Sequence, residues 1–475
     1  MSRLVFYGFA LVLELVIAVS LPSCRSGIGR EDLLSSVPRN AVMVKAVNLE
    51  ALCSEAGCSL PSRGDSLSRL SATLAACAVE PDLRGVFSLV VEEGAGNVDF
   101  TTVVSFTSSA GRDVALMGVS SRGALLNGLL RRLPSAGEDA PALTADDGFE
   151  FLQVGGGVVA VRDGVCYISR DLNDIKDAVV HAQTASIQAL TGIAGFFEED
   201  APACIAVNCA RSPLSFLGGE DRWLCVDFKT SQRELTARAR VLSDSGAVDS
   251  IGTRFNTIDL DILRFVPRDV AVLVAFGRFS GNQRSLSMFL GRFMPVYMPQ
   301  ADGSTVLFAT PVGAPDDVAA GRPGSWRVGT VVHLPGAIAD SCIAEYRASA
   351  PPDVRSTGSD MYSYSVDGLE YCFGKYGDYV AFSSGGAVVD GSGGEAYGEL
   401  LRDRRAVMSV SAPAGSLLAR AWRLSGGLSF SLVVHADAVE AKMVVDGESR
   451  TALAVLLSLE RFPDFYERFR ADTGR

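Results

Sequence analysis

Residues 32–40 read DLLSSVPRN, and residues 261–269 read DILRFVPRD. A nearly continuous apolar run follows each of these stretches, over residues 41–46 and 270–275. A proline in front of an apolar run suits the start of a strand, because the N–H that proline lacks is not needed there. The repeated Val-Pro-Arg therefore predicts that one buried strand, entered in the same way, occurs twice in this chain.

Three further segments of the first half recur in the second half, in the same order. A single match between apolar strands means little, because such strands resemble one another, but ordered matches at a long period are the signature of an internal duplication. We therefore interpret the chain as two homologous halves. The matched segments are DGFEF at 147–151 with DGLEY at 367–371, ACIAVN at 203–208 with AVMSVS at 406–411, and the alternating apolar positions of 235–241 with those of 439–445.

The order of the local patterns predicts the fold class. Strand patterns outnumber helical patterns and are joined by short turns, which favours an α+β fold over a doubly wound parallel sheet. In this interpretation each half is a mainly antiparallel sheet with packed helices. Residues 1–23 are predicted to be a lipoprotein signal peptide, 24–31 a short tether, 32–255 the first α+β repeat and 256–475 the second α+β repeat with a C-terminal helix.

Local signals predict individual elements within this plan. Asn48 is a suitable N-cap for a helix. The run 85–92 is rich in β-branched and aromatic residues and predicts a strand that turns at 94–97 into a second strand. The glycines at 155–157 lack the G-K-[ST] ending of a phosphate-binding loop and lead into an apolar run, so they predict a hairpin turn. Aromatic residues spaced i, i+3, i+4, i+7 predict a C-terminal helix docked on the body: Phe462, Phe465, Tyr466 and Phe469.

The composition limits the possible functions. The chain has 475 residues, a formal net charge of −12 and 48% hydrophobic residues. This apolar content is typical of a packed protein and excludes a disordered one. Nucleic-acid binding requires a basic footprint, and the net charge of this chain has the opposite sign, so no nucleic-acid partner is expected.

The N-terminus has the parts of a bacterial secretory signal. Arg3 precedes an apolar stretch over residues 4–21, and Glu14 in its middle argues against a lasting membrane span. The sequence LPSC at 21–24 resembles a lipobox, in which cleavage exposes a cysteine that carries the lipid. We expect Cys24 to be the acylated mature N-terminus, through which the protein contacts the membrane. An ordinary cleaved signal peptide followed by a chance cysteine is the alternative.

Cysteines and histidines form no motif that carries a known chemistry. The chain has 10 cysteines, and those other than Cys24 include no C-x-x-C pair and lie mostly among apolar neighbours, where small buried thiols are expected. One or two disulfides are still compatible with an exported protein. His181, His333 and His435 belong to no metal-binding or catalytic motif. The sequence therefore predicts no catalytic residue, no metal ligand and no cofactor.

The lipobox, PRNA at 38–41 followed by VNLEAL at 47–52, and the duplicated strand–helix plan resemble a group of uncharacterised lipoproteins of Bacteroidales-type bacteria. This resemblance implies the cell envelope of a diderm bacterium, with the protein at the periplasmic face or on the outer surface. It carries over no catalytic residue, because that group has none established.

The most direct interpretation is a lipid-anchored envelope protein that serves as a non-catalytic binding or assembly module, with an envelope protein as its partner. Two alternatives stay open at this point. One is an envelope hydrolase with a site between the two halves, since interfaces between repeated domains often contain pockets. The other is a carrier of an apolar ligand.

Overall fold

The computed structural model describes residues 30–458, apart from residues 64, 134–141, 199–200, 213, 215–218, 220, 251, 253–254, 279–301, 323, 359, 367 and 386–392. The predicted signal peptide, Cys24 and the aromatic residues of the predicted C-terminal helix lie outside the described residues. The described chain forms two compact units. Of the described residues, the first unit contains 30–249 and 450–458, and the second is Ser250–Ser449. None of the described helices has the length and apolar composition needed to cross a membrane.

The described part of the first unit alternates helices with short and medium strands. Its helices are α1 (Arg30–Ser35), α2 (Leu49–Glu55), α3 (Arg69–Ala78), α4 (Arg84–Gly94), α5 (Arg122–Arg132), α6 (Leu172–Thr184) and α7 (Thr191–Glu198). Its strands are β1 (Met43–Val47), β2 (Val98–Thr107), β3 (Asp113–Val119), β4 (Thr144–Asp146), β5 (Phe149–Val154), β6 (Gly157–Arg162), β7 (Val165–Ser169), β8 (Ala203–Asn208), β9 (Arg222–Thr230), β10 (Glu234–Ser243) and β11 (Val248–Asp249).

β1 lies inside the sheet of the first unit. It pairs with β2 on one side and with β8 on the other, and both pairings are antiparallel. From β2 the antiparallel sheet continues through β3, β7, β6 and β5 to β4. From β8 it continues through β9 and β10 to β11. Because both edges of β1 are paired, its buried backbone groups are satisfied without solvent.

Helices cover both faces of this sheet around β1. Alternate residues of a strand point to opposite faces, so Val44 and Ala46 face one layer of helices and Lys45 faces the other. On the Lys45 side, α2 and α3 pack against β2, and α4 packs against β6. On the Val44 side, α1, α6 and α7 close an apolar core in which each fully buried large side chain contributes roughly 1.5–3 kcal/mol. This core includes Leu33, Leu34, Val37, Phe106, Leu116, Ile193, Phe196 and Phe197.

The described part of the second unit follows the same alternation. Its helices are α8 (Pro315–Ala320), α9 (Gly336–Ser349), α10 (Gly393–Leu401) and α11 (Leu417–Ala421), with a 3₁₀ helix at Leu260–Phe265. Its strands are β12 (Val272–Phe276), β13 (Thr305–Pro311), β14 (Trp326–His333), β15 (Arg355–Gly358), β16 (Met361–Val366), β17 (Leu369–Tyr376), β18 (Tyr379–Ser384), β19 (Ala406–Ala412), β20 (Gly427–Val434) and β21 (Val439–Asp446). Helices packed on antiparallel sheets in both units confirm the predicted α+β class.

The sheet of the second unit has the strand order of the first. β12 pairs with β13 on one side and with β19 on the other. The sheet continues from β13 through β14, β18, β17 and β16 to β15, and from β19 through β20 to β21. The register between the central strand and its neighbour, β1 with β8 and β12 with β19, also agrees between the two units. Val47 stands opposite Ala203 in the first unit, and Phe276, at the matching position, stands opposite Ala406 in the second.

The Val-Pro-Arg copies enter β1 and β12 alike, although not as the first strand residues. Pro38 and Pro267 lie in the turns before these strands, at the same distance from each. Helical turns precede both prolines, α1 in the first unit and the 3₁₀ helix in the second. The ACIAVN and AVMSVS segments form the counterpart strands β8 and β19. The alternating segments 235–241 and 439–445 lie in β10 and β21, which are counterparts in the strand order.

The match between DGFEF and DGLEY is wrong by one strand. The strand order makes β5 the counterpart of β16, whereas the sequence match equated β5 with β17. The physical reason is that Asp-Gly serves several hairpins of this meander. Asp147–Gly148 and Asp163–Gly164 both have positive φ at each residue, as a two-residue type I′ turn requires. The same dipeptide therefore recurs at successive turns and does not mark one particular hairpin.

Two local predictions have opposite outcomes. Asn48 caps α2, and its Oδ1 accepts a hydrogen bond from the Ala51 N–H at 3.0 Å. The predicted strand at 85–92 is wrong, because this segment is the helix α4. Its buried residues are Val86, Phe87, Val90 and Val91, which form one face of a helix. Burial of that face on the sheet overrides the low helix preference of β-branched valine.

The chain after the second unit returns to the first. Helix α12 (Ala452–Ser458) packs against α3 and β10. The second repeat was predicted to extend over 256–475, whereas this helix belongs to the first unit. Residues 243–247, at the end of β10, form a tight turn. In this turn the Ser243 N–H bonds the Ala247 carbonyl at 2.9 Å before β11 begins.

Candidate functional site

The second unit carries a cluster of aromatic side chains on its outer strands, here called the aromatic surface. β16, β17 and β18 are neighbours, and alternate residues of each strand project from the same face of the sheet. α9 packs against β17 and β18 on that face. The aromatic surface consists of Tyr346 from α9, Tyr362 and Tyr364 from β16, Tyr371 and Phe373 from β17, and Phe382 from β18.

The strand register brings these rings into contact. Tyr362 stands opposite Phe373, and Tyr364 stands opposite Tyr371. Both pairs are stacked, with ring centroids 5.1 Å apart in the first pair and 5.3 Å apart in the second. Each stacked pair contributes roughly 0.5–1.5 kcal/mol beyond the area that it buries. Tyr346 joins the cluster from above, 6.0 Å from Phe373.

Burial across the aromatic surface is graded. Phe373 is buried, whereas Tyr362, Tyr364 and Tyr371 are partly exposed. The face continues past Tyr364 to Val366, which is 39% exposed. One end of the cluster is therefore the core under α9, and the other end opens to solvent.

The aromatic surface combines neutral, polarisable rings with the cationic side chain of Arg347. Burial raises the pKa of Tyr364, so its hydroxyl stays protonated and can donate or accept a hydrogen bond. The guanidinium of Arg347 lies over the Tyr362 ring, 5.2 Å from the centroid. Such an arrangement holds the arginine in place while its charge faces outward. Apolar, hydroxyl and cationic groups thus stand side by side.

The sequence did not predict a cluster at these residues. The signal was present as Tyr362-x-Tyr364 and Tyr371-x-Phe373, two runs of period two. Alternation predicts that each pair shares a face, but it does not tell which strands become neighbours. The cluster exists only because three strands and one helix converge.

A cavity of about 400 Å³ opens in the first unit beside α1, α6 and the β6–β7 turn. The guanidinium of Arg162 borders it, with Nε 3.2 Å from Oδ2 of Asp163 and its carbon 5.1 Å from the centre of the Phe149 ring. The Arg162 guanidinium therefore already interacts with the Asp163 carboxylate and the Phe149 ring. The volume is in the range of small-ligand sites. The other lining residues are Asp32, Ser35, Ser36, Val165, Tyr167, Val179, Ala182 and Gln183.

A partly buried charged cluster lies on the face of the first sheet that α3 covers. Lys45 of β1 forms an ion pair with Glu80. Close by, Asp113 of β3 accepts a hydrogen bond from the Thr107 hydroxyl at 2.8 Å. Burial raises the pKa of Asp113 to about 6, and the carboxylates of Glu80 and Asp82 act in the same direction. The Thr107 hydrogen bond and the Lys45 charge oppose this rise but are the weaker influences.

The histidines occupy separate environments. Nδ1 of His181 lies 2.7 Å from the Asp177 carbonyl oxygen on α6, and His435 pairs with Glu440 at 3.6 Å. His333 lies 2.6 Å from Asp302 and packs edge-on against Tyr379. Over the part of the chain that the structure describes, no three His, Cys, Asp or Glu side chains stand close enough to hold a metal ion. Cys24, the predicted lipidation site, lies outside the described residues.

Asp113→Asn tests the charged cluster through its pH dependence. Between about pH 4 and 6, the folded state keeps the Asp113 proton while the unfolded state has lost it, so the contribution of this group to stability falls as the pH rises. Asparagine keeps an acceptor for Thr107 and does not ionise. We expect the variant to be more stable than the wild type by about 1 kcal/mol near neutral pH, after allowance for solvent screening. The difference should shrink as the pH falls toward about 4.5.

Urea unfolding at a series of pH values measures this difference. Asp163→Asn is the matched control, because the Asp163 side chain is 87% exposed and should show no pH-dependent gain. A stability difference for Asp113→Asn that is the same at every pH contradicts the assignment of an elevated pKa.

Comparisons with known proteins assign no family. No protein-family model matches the chain, and no curated protein gives a significant match. Among solved structures, crystal form IV of TP0453 is similar over 44% of this chain and 80% of that chain, with 10% sequence identity and a TM-score of 0.27. Crystal form I of TP0453 is similar over 74% of this chain and 92% of that chain, with 9% identity and a TM-score of 0.22. These likenesses are too distant to carry an argument about function.

Proposed function

We propose that this protein is a lipid-anchored protein of the bacterial cell envelope that binds a protein partner through the aromatic surface. The aromatic surface is the observation that carries the proposal, since it combines a buried anchor with an open, partly exposed end. The role is non-catalytic: the protein holds its partner near the membrane and does not transform it.

The composition of the aromatic surface favours a protein partner. Tyrosine, phenylalanine and arginine are enriched at the centres of protein interfaces, where a few such residues carry most of the binding energy. Tyr364 and Tyr371 are held by stacking, so little side-chain entropy is left to lose on binding. Arg347 adds a positive charge at the edge of the patch. The complementary partner surface is apolar and carries an acidic group opposite Arg347.

The anchor and the duplication belong to the same proposal. Cys24 follows an apolar signal-like segment and would tether the mature chain through its acyl groups. The shared strand order and the matching register of β1 with β8 and of β12 with β19 support descent of both units from one ancestral unit. In this account the aromatic surface belongs to the second copy.

Cys24→Ala tests the anchor. The wild-type protein should partition into the detergent phase in a temperature-induced phase separation, because two or more acyl chains bind membranes stably whereas one does so only marginally. The variant should move to the aqueous phase or stay unprocessed. Cys53→Ala is the control and should partition like the wild type, because Cys53 is buried in the folded unit. Identical partitioning and identical processing of the Cys24 variant would show that the lipoprotein interpretation is wrong.

The aromatic surface is tested by photo-crosslinking in the native envelope. A photoreactive residue at Val366 should capture one discrete protein, whereas the same residue at Val180, which is 60% exposed on α6, should not. With the captured protein purified, Tyr364→Ala should weaken binding by about tenfold or more, as truncation of a central contact does. Val180→Ala should leave the affinity unchanged. Equal affinities of the wild type and Tyr364→Ala, or capture of only a second copy of this chain, contradict the proposal.

A further inference from the structure

The C-terminus of α2 ends in a turn that joins two cysteines. Gly57 adopts a left-handed conformation with φ of +75°. The Gly57 N–H bonds the Ser54 carbonyl at 3.0 Å, and the Cys58 N–H bonds the Cys53 carbonyl at 2.8 Å. These two bonds define a Schellman motif, in which the residue after the glycine folds back onto the last turn of the helix. The motif usually places an apolar contact between those two positions, and here both are cysteines.

The two cysteines lie side by side in the folded protein. Cys53 and Cys58 both carry a free thiol, and the Cys58 N–H bonds the Cys53 carbonyl at 2.8 Å. Burial raises the pKa of both thiols, and the neighbouring Cys53 side chain partly offsets the rise at Cys58. Cys53 is 1% exposed, whereas Cys58 is partly exposed. The Cys58 thiol is therefore accessible to a reagent from solution, whereas the Cys53 thiol is shielded from solvent.

We propose that Cys53 and Cys58 form an intramolecular disulfide that fixes the end of α2. The backbone hydrogen bonds of the Schellman motif already hold the two residues next to each other at the end of the helix. The oxidising compartment in which it would form rests on the proposed export of the protein. The chemistry of the pair does not depend on that export and can be tested in solution.

The oxidant is a low-molecular-weight disulfide. The Cys58 thiolate attacks one sulfur of that disulfide, which forms a mixed disulfide and releases one thiol. The Cys53 thiolate then attacks Sγ of Cys58, which forms the Cys53–Cys58 bond and releases the second thiol. The protein loses two electrons and two protons, and the external disulfide is reduced to two thiols.

Mass spectrometry of the detergent-purified full chain tests the proposal. The reduced protein is treated with oxidised glutathione, blocked with N-ethylmaleimide and digested with trypsin. Cleavage after Lys45 and Arg63 yields a peptide over residues 46–63, in which Cys53 and Cys58 are the cysteines. We expect this peptide to lose two hydrogens and to take up no maleimide. A peptide that carries two maleimides, or a stable glutathione adduct on Cys58 with Cys53 unmodified, overturns the proposal.

Two variants and one control pair sharpen the result. Cys53→Ser should arrest the reaction at the glutathione adduct of Cys58, because the second thiol is missing. In the Cys58→Ser variant, Cys53 should take up no glutathione in the folded state, because Cys53 is buried. Cys204 and Cys209 have the same spacing but belong to a strand and its exit, so they should stay unlinked. Crosslinking of this control pair to the same extent would show that the Schellman turn confers no selectivity, and would overturn the proposal.

Discussion

Both units depend on one constraint, the hydrogen bonding of a buried strand on both of its edges. β1 and β12 are mostly buried strands that helices or neighbouring segments cover, so their peptide groups have little access to water. An unpaired buried N–H or carbonyl costs free energy comparable to a lost hydrogen bond. Pairing with β2 and β8, and with β13 and β19, removes that cost. Those neighbours come from distant parts of the sequence. Their pairing with the central strand therefore brings distant segments of each unit together.

The exposure of the outer strands follows from the same arrangement. Helices cover the centre of each sheet, and the cover thins toward the edge strands β4 and β15, whose residues are all exposed. In the second unit the strands next to this edge carry tyrosine and phenylalanine where the cover ends. Stacking between neighbouring rings stabilises those strands beyond the part that α9 covers. The same rings form the surface to which we propose that a protein partner binds.

Sequence patterns predicted the features that depend on local chemistry or on segments that recur in both halves of the chain. The Val-Pro-Arg turns, the Asn48 cap and the counterpart strands β8 and β19 belong to this group. Prediction from the sequence failed where tertiary contacts decide the conformation of a segment or its neighbours in the fold. The helix α4 contains valines that favour a strand in isolation, and only its packing against the sheet makes it helical. The DGFEF match failed because Asp-Gly occurs at more than one hairpin turn. The aromatic surface could not be predicted because its members come from four elements.

Amide hydrogen exchange followed by mass spectrometry tests the central constraint most directly. Peptides that cover Met43–Val47 and Val272–Phe276 should be the slowest to exchange in their respective units, because opening β1 or β12 breaks two ladders and both core layers at once. Peptides over the edge strands Thr144–Asp146 and Arg355–Gly358 should exchange fastest among the strands. Exchange of β1 or β12 at the rate of these edge strands would contradict the account, since the remainder of each sheet could then form without its central strand.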